Sequence, residues 1–270
     1  MSSASIGVFD SGFGGLTVMN AIISLLPSEN ISYFADTIHL PYGNKSPEAI
    51  LEYSCQSIEF LGKQGIKLLV IACHTSCVTA LPFLQKQFPF PIIGIATAGI
   101  KALVSQKKTD HLAFLGTQTT VASGVYQKMI QDKLPSSKVT AIACPLFVPL
   151  VEMGYINHPI LTKNAVQEHL RPLKKESVDA VLLACTHYPL LKEPIQKELG
   201  DQVLIIDPSM SCAMEVKKLL SKKNLLNRTS ISAQYQFYVS DNPERFQTTC
   251  KLFFSSPITS VIATHAPSFL

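Results

Sequence analysis

Residues 68–75 read Leu68-Leu69-Val70-Ile71-Ala72-Cys73-His74-Thr75, and residues 181–188 read Val181-Leu182-Leu183-Ala184-Cys185-Thr186-His187-Tyr188. Each is a short unbroken apolar run that stops at a cysteine followed by polar residues. An apolar run of this length, bounded by turn residues, is the mark of a strand buried on both faces of a parallel sheet. Six further runs share the pattern. They begin at Ile6, Ile31, Ile92, Leu112, Val139 and Val203, with amphipathic stretches such as Pro47–Gln64 and Ile160–Leu173 between them as crossover helices. The runs starting at Ile6, Ile31, Leu69 and Ile92 recur 106 to 112 residues later, at Leu112, Val139, Val181 and Val203. A nearly constant offset predicts one α/β unit used twice.

The expected fold is therefore α/β, with two similar domains of mostly parallel sheet flanked by helices and the active site between them. The expected division is 1–97 plus 208–270 for a discontinuous first domain and 98–207 for the second. The segment after Asp207, with a helix near Ala213–Lys222 and a strand at Tyr235–Val239, is expected to pack back on the first half.

Composition narrows the function classes. Of 270 residues, 47% are hydrophobic and 16% charged, which suits a packed core and not a disordered chain. The net charge of +4 is carried by scattered lysines in pairs at most, so no basic stripe points to nucleic acid. No apolar run approaches the ~18 residues of a membrane span, and the first residues lack the pattern of a signal peptide. Seven cysteines, an odd number without dense spacing, read as free thiols in a reducing cytoplasm.

Ligands of open parallel sheets bind at the carboxyl ends of the strands. Under the repeat, Cys73 and Cys185 occupy equivalent strand ends, so two thiols would enter one cleft from opposite sides. That pair suits inversion at a Cα centre: a thiolate removes the proton from one face and a thiol delivers one to the other. Helices starting after each cysteine would help to stabilise the thiolates. Cys55, Cys77, Cys144, Cys212 and Cys250 read as packing residues.

Two other chemistries fit less well. Cys73, His74, Cys77, Cys185 and His187 lack the spacing of a zinc motif. Gly12, Gly14 and Gly15 follow a strand, but their spacing is not G-x-G-x-x-G, and Asp10 stands where a diphosphate would approach. Asp36 reads as a turn-ordering residue. Only Arg171, Arg228 and Arg245 are available, none in a motif. A substrate carboxylate is therefore expected to be held by hydroxyls and backbone N–H groups.

The chain resembles the glutamate racemase family at Ile6–Leu16, Pro41–Ser46, Cys73-His74-Thr75, Val148–Gly154 and Cys185-Thr186-His187-Tyr188-Pro189, in consistent order from Ile6 to Phe254. The resemblance implies racemisation of L- and D-glutamate without a cofactor or metal, supplying D-glutamate for peptidoglycan. It implies Cys73 and Cys185 as the acid/base pair, with Asp10 assisting Cys73, and His187 and Glu152 assisting Cys185. Asp10, Ser11, Tyr42, Gly43, His74, Thr75, Thr120, Thr186 and His187 would meet the substrate, and members are commonly homodimers. Two positions depart from the pattern. His74 replaces the usual Asn, and Thr119 stands where Gly is frequent. His74 leaves two alternatives open: a weak or inactive homologue with a binding role, and a racemase for another amino acid such as aspartate.

Overall fold

The computed structural model describes residues 3–229, 231–254, 258 and 260–264. Residues 1, 2 and 265–270 of the expected first domain thus lie outside the described residues. Among the described residues there are ten strands: β1 Ile6–Asp10, β2 Ile31–Ala35, β3 Leu68–Ile71, β4 Ile92–Gly94, β5 His111–Gly116, β6 Lys138–Ala143, β7 Ala180–Ala184, β8 Leu204–Ile206, β9 Tyr235–Val239 and β10 Ile262–Ala263. They form two sheets, ordered β10-β9-β2-β1-β3-β4 and β6-β5-β7-β8. Every pairing is parallel. The order β2-β1-β3-β4 in the first sheet repeats as β6-β5-β7-β8 in the second, so the duplicated apolar runs correspond to a duplicated topology.

Central strands β1, β3, β5 and β7 are buried at every residue, as their unbroken apolar sequences require. Edge strand β6 is different: Lys138 is exposed and most of the strand only half-buried. The expectation of burial on both faces fails there because no strand covers its outer side. Helices connect the strands. Pro47–Lys63 starts with Ser46, whose hydroxyl accepts from the Ala49 amide at 3.3 Å, and with Pro47 in the first turn. The second-half crossover is shorter than expected, Leu161–Leu170, followed by a 3₁₀ turn at Leu173–Lys175. Among the described residues no helix is long and apolar enough to cross a membrane.

After β8 the chain returns. Helix Ser209–Lys222 packs on helices Leu16–Leu25 and Ile95–Val104, and β9 pairs with β2 in the register Ile31 to Tyr235. The return is fastened by a buried ion pair. Lys67, at the entry to β3, meets Glu29 before β2 and also donates to the Leu225 carbonyl at 2.9 Å. The other Glu29 oxygen accepts from the Asn227 amide at 2.8 Å. Removing one partner of such a pair leaves a charge stranded in the interior. Lys67→Met should therefore lower the unfolding free energy by about 3 kcal/mol or more, read by urea denaturation, and Lys67→Met with Glu29→Gln should recover part of the loss.

Candidate active site

The carboxyl ends of the two sheets face a common cavity of about 390 Å³. Cys73 follows β3 and Cys185 follows β7, and both line it. Other wall residues come from both halves, among them Ser11, Tyr42, Thr75, Thr186 and His187. The apposition at the centre is tight. A Cβ on Gly14 would lie 2.6 Å from His187 Nδ1, and one on Gly15 would lie 2.5 Å from Asp10 Cβ. Gly14 thus lets the second half approach the first, and Gly15 lets the turn fold back on the end of β1, which accounts for these two glycines without a dinucleotide.

The surroundings of the two sulfurs differ. Cys73 is the N-cap of helix His74–Gln87: its Sγ accepts from the Ser76 amide at 3.5 Å and lies 3.4 Å from Ser11 Oγ. Burial pushes the Cys73 thiol up, the nearby Asp10 carboxylate adds to this, and the Ser11 and Ser76 hydrogen bonds oppose it. After Cys185 the expected α-helix is absent. Thr186 and His187 intervene before a 3₁₀ turn at Tyr188–Leu191, because Pro189 and the tight chain path precede the α-helix Lys192–Leu199. Burial pushes Cys185 well up, with backbone hydrogen bonding at His187 opposing. The imidazole of His187 stands beside it, Nδ1 to Sγ 3.9 Å.

Asp10 and Thr120 are fully buried behind the wall rather than part of it. Asp10 accepts from the Gly12 amide at 2.9 Å and the Thr186 hydroxyl at 3.4 Å. Its carboxyl is raised by burial, with the nearby His187 pulling it back. Thr120 joins a hydroxyl cluster with Thr75 (3.3 Å) and Thr117 (3.0 Å) that links the halves. Thr119 donates to the Gly43 carbonyl at 3.0 Å and so fixes the turn that carries Tyr42 and Gly43 into the wall. Asp36 orders that loop: it accepts from Tyr42 Oη at 2.5 Å and Ser240 Oγ at 2.9 Å, with His39 Nδ1 at 2.8 Å.

Glu152 is brought to His187, Oε1 to Nε2 3.1 Å, and its second oxygen meets Arg245 at 3.2 Å. Arg245 also lines the cavity, its guanidinium paired with Glu152. It lies in helix Pro243–Thr249, where no motif marked it. Cys144 also contributes to the wall, although it had been assigned to packing. Among the described residues no group of three or more His, Cys, Asp or Glu side chains is placed to hold a metal ion.

His74 lines the cavity while buried, and its Nδ1 is hydrogen-bonded to Tyr126 Oη from the second half. Tyr126, fully buried, has no other hydrogen-bond partner shown among the described residues. A buried hydroxyl proton without an acceptor is costly, so the phenol donates and the imidazole proton sits on Nε2. That nitrogen has no hydrogen-bond partner among the described residues. Burial holds His74 neutral, pushed down to about 3 from 6.5. The unfolded chain takes up this proton below pH 6.5 and the folded chain does not. Stability is therefore full above pH 6.5 and falls on acidification, by about 2 kcal/mol from this group at pH 5. Urea denaturation at pH 7.5 and pH 5 should show His74→Asn losing less stability than the parent by about that amount.

The chain matches the family model of Asp/Glu/Hydantoin racemases over residues 23–215. It is 41% identical to the glutamate racemase of Syntrophus aciditrophicus over 95% of this chain and 94% of that protein. With the glutamate racemase of Neisseria meningitidis serogroup A it shares 39%, over 95% and 94%. Among solved structures, the glutamate racemase of Francisella tularensis in complex with D-glutamate superimposes with a TM-score of 0.94, at 33% identity over all of both chains. That of Thermus thermophilus, in complex with β-chloro-D-alanine, gives 0.89 at 34% identity over 98% of each. Identity at this level over nearly the whole length, with both sheets superimposed, leaves no remaining step: the chain belongs to the glutamate racemase family.

Proposed function

We propose that this protein interconverts L- and D-glutamate by a two-thiol acid/base reaction, the D-enantiomer serving peptidoglycan synthesis in the cytoplasm. The observation that carries the reading is the pair Cys73 and Cys185, at equivalent strand ends on one cavity of a chain closely similar to glutamate racemases. The site would lie between two units, 98–207 and 1–97 with 208–270.

Each thiol has its own acid/base support. Asp10 and Ser11 serve Cys73, while His187, backed by Glu152, serves Cys185. Burial raises both thiols, so each rests protonated; the one that acts as base must first pass its proton to a neighbour, while the other keeps its proton to deliver. Once formed, a desolvated thiolate is a stronger base than one in water, which suits removal of a weakly acidic Cα proton. In one direction the Cys73 or Cys185 thiolate takes the Cα proton, and the opposite thiol gives its own to the other face. The enzyme is left with its two protonation states exchanged, and solvent restores them. Neutral His74, with a donor at Nε2, suits a substrate carboxylate oxygen in the role of the family's Asn. Ser11, Thr75, Thr117 and Thr186 add hydroxyls to the same cavity.

Purified protein incubated with either enantiomer, without added cofactor, should lose optical activity. In deuterium oxide the product should carry deuterium at Cα, since the delivered proton comes from an exchanged thiol. Cys73→Ala and Cys185→Ala should each lower kcat in both directions by at least about 10²-fold. Full turnover by either variant would remove the two-thiol assignment.

A further inference from the structure

Glu152 holds two partners at once, and only one of them belongs to the acid/base pair at Cys185. Its Oε1 meets His187, and its Oε2 meets the guanidinium of Arg245, 93 residues away in the return segment. The two carboxylate oxygens are thus divided between the halves of the molecule. Arg245 is itself held in place. Its backbone amide donates to the Asn242 side chain at 2.9 Å, which caps helix Pro243–Thr249, and its guanidinium stands 5.6 Å from the Phe13 ring centre. Phe13 stacks on Phe246 of the same helix at 5.7 Å.

The same segment touches His187 a second time. Phe253 presents its ring against the imidazole at 5.2 Å, near perpendicular, and its carbonyl is fixed by the Asn20 side-chain amide at 2.6 Å. The His187 ring is therefore braced on one side by an aromatic ring and on another by a carboxylate that Arg245 steadies. Without Arg245, Glu152 keeps its contact with His187 but loses the cation that holds its second oxygen, and is free to turn toward solvent.

We propose that Arg245 is a positioning residue for the Cys185 half of the site, holding Glu152 so that His187 stays aligned with the thiol. The inference rests on the two-thiol reading above. Arg245 acts through Glu152 and His187, so its loss falls first on Cys185. Its side chain is 55% exposed, so the ion pair contributes little to overall stability. Arg245→Gln should therefore keep a melting temperature near that of the parent while kcat falls about tenfold or more, the scale of a misaligned proton-transfer group.

Because the enantiomers are equal in free energy, kcat/KM must fall equally in both directions, and the asymmetry must be sought in the isotope effect. With Cα-deuterated substrates, the primary isotope effect on kcat/KM should rise for the enantiomer whose proton Cys185 removes and fall for the other. Arg245→Lys, which keeps a cation for Glu152, should restore much of the rate. Glu152→Gln should reproduce the asymmetry, and adding Arg245→Gln to it should cost little more. Equal isotope effects for both enantiomers, or additive losses in the double variant, would overturn the inference. A second readout needs no turnover: iodoacetamide labelling followed by peptide mass. The ratio of Cys185 to Cys73 labelling should drop in Arg245→Gln, and an unchanged ratio counts against the proposal. A parent protein inactive on glutamate would defeat the functional reading, while the labelling ratio would still decide this one.

Discussion

Desolvation of the two sulfurs is the constraint around which the rest of the molecule is arranged. A thiol at a buried strand end resists ionisation, because the thiolate loses its hydration when water is excluded. Cys73 and Cys185 are both pushed up in this way, and so is the Asp10 carboxyl. Each can change protonation only where another group takes up the proton or charge, and ionisable side chains stand close by, His187 and Glu152 in the cavity wall and Asp10 behind it. His187 sits close enough to Asp10 to pull its carboxyl back, although Asp10 ends β1 of the first sheet and His187 follows β7 of the second.

The duplicated topology supplies the two sulfurs, but it does not supply two identical environments. Cys73 gains a helix N-terminus and a serine hydroxyl, which are fixed dipoles. Cys185 faces a 3₁₀ turn and an imidazole, which is a titratable partner. The difference follows from the residues after each cysteine: His74-Thr75-Ser76 continue directly into a helix, whereas Thr186-His187-Tyr188-Pro189 delay it. The return segment after β8 then adds Arg245 and Phe253 to the Cys185 side alone. One half carries its support within its own sequence, and the other borrows it from the end of the chain.

That division also decides what could be read without coordinates. The central strands were legible because unbroken runs such as Leu68–Ile71 and Val181–Ala184 carry their burial in local sequence. The two strand-end cysteines followed from the repeat. Arg245 was not legible: its partner Glu152 is 93 residues distant, and nothing around Pro243–Thr249 distinguishes a cavity-lining arginine from a solvated one. Tyr126 escaped for the same reason, since its contact with His74 forms only when the halves meet. Asp10 stands in a quoted motif and Thr120 in none, and the depth of both behind the wall depends on packing that no motif records.

His74 shows how a departure from a pattern can be absorbed elsewhere. An Asn side chain offers both a donor and an acceptor from one short amide, while an imidazole must commit its single proton to one nitrogen. Tyr126 makes that choice by occupying Nδ1, and burial removes the alternative of a second proton. The outcome is a neutral group with one fixed donor, close in hydrogen-bonding character to the donor end of an amide. The ring is larger than Asn, but it leans toward Tyr126, which in turn stacks on Phe114 at 5.0 Å beneath the second sheet's helices. Replacing Asn by His at this position is therefore coupled to the second half of the molecule. The orientation of the His74 ring is thus set together with Tyr126.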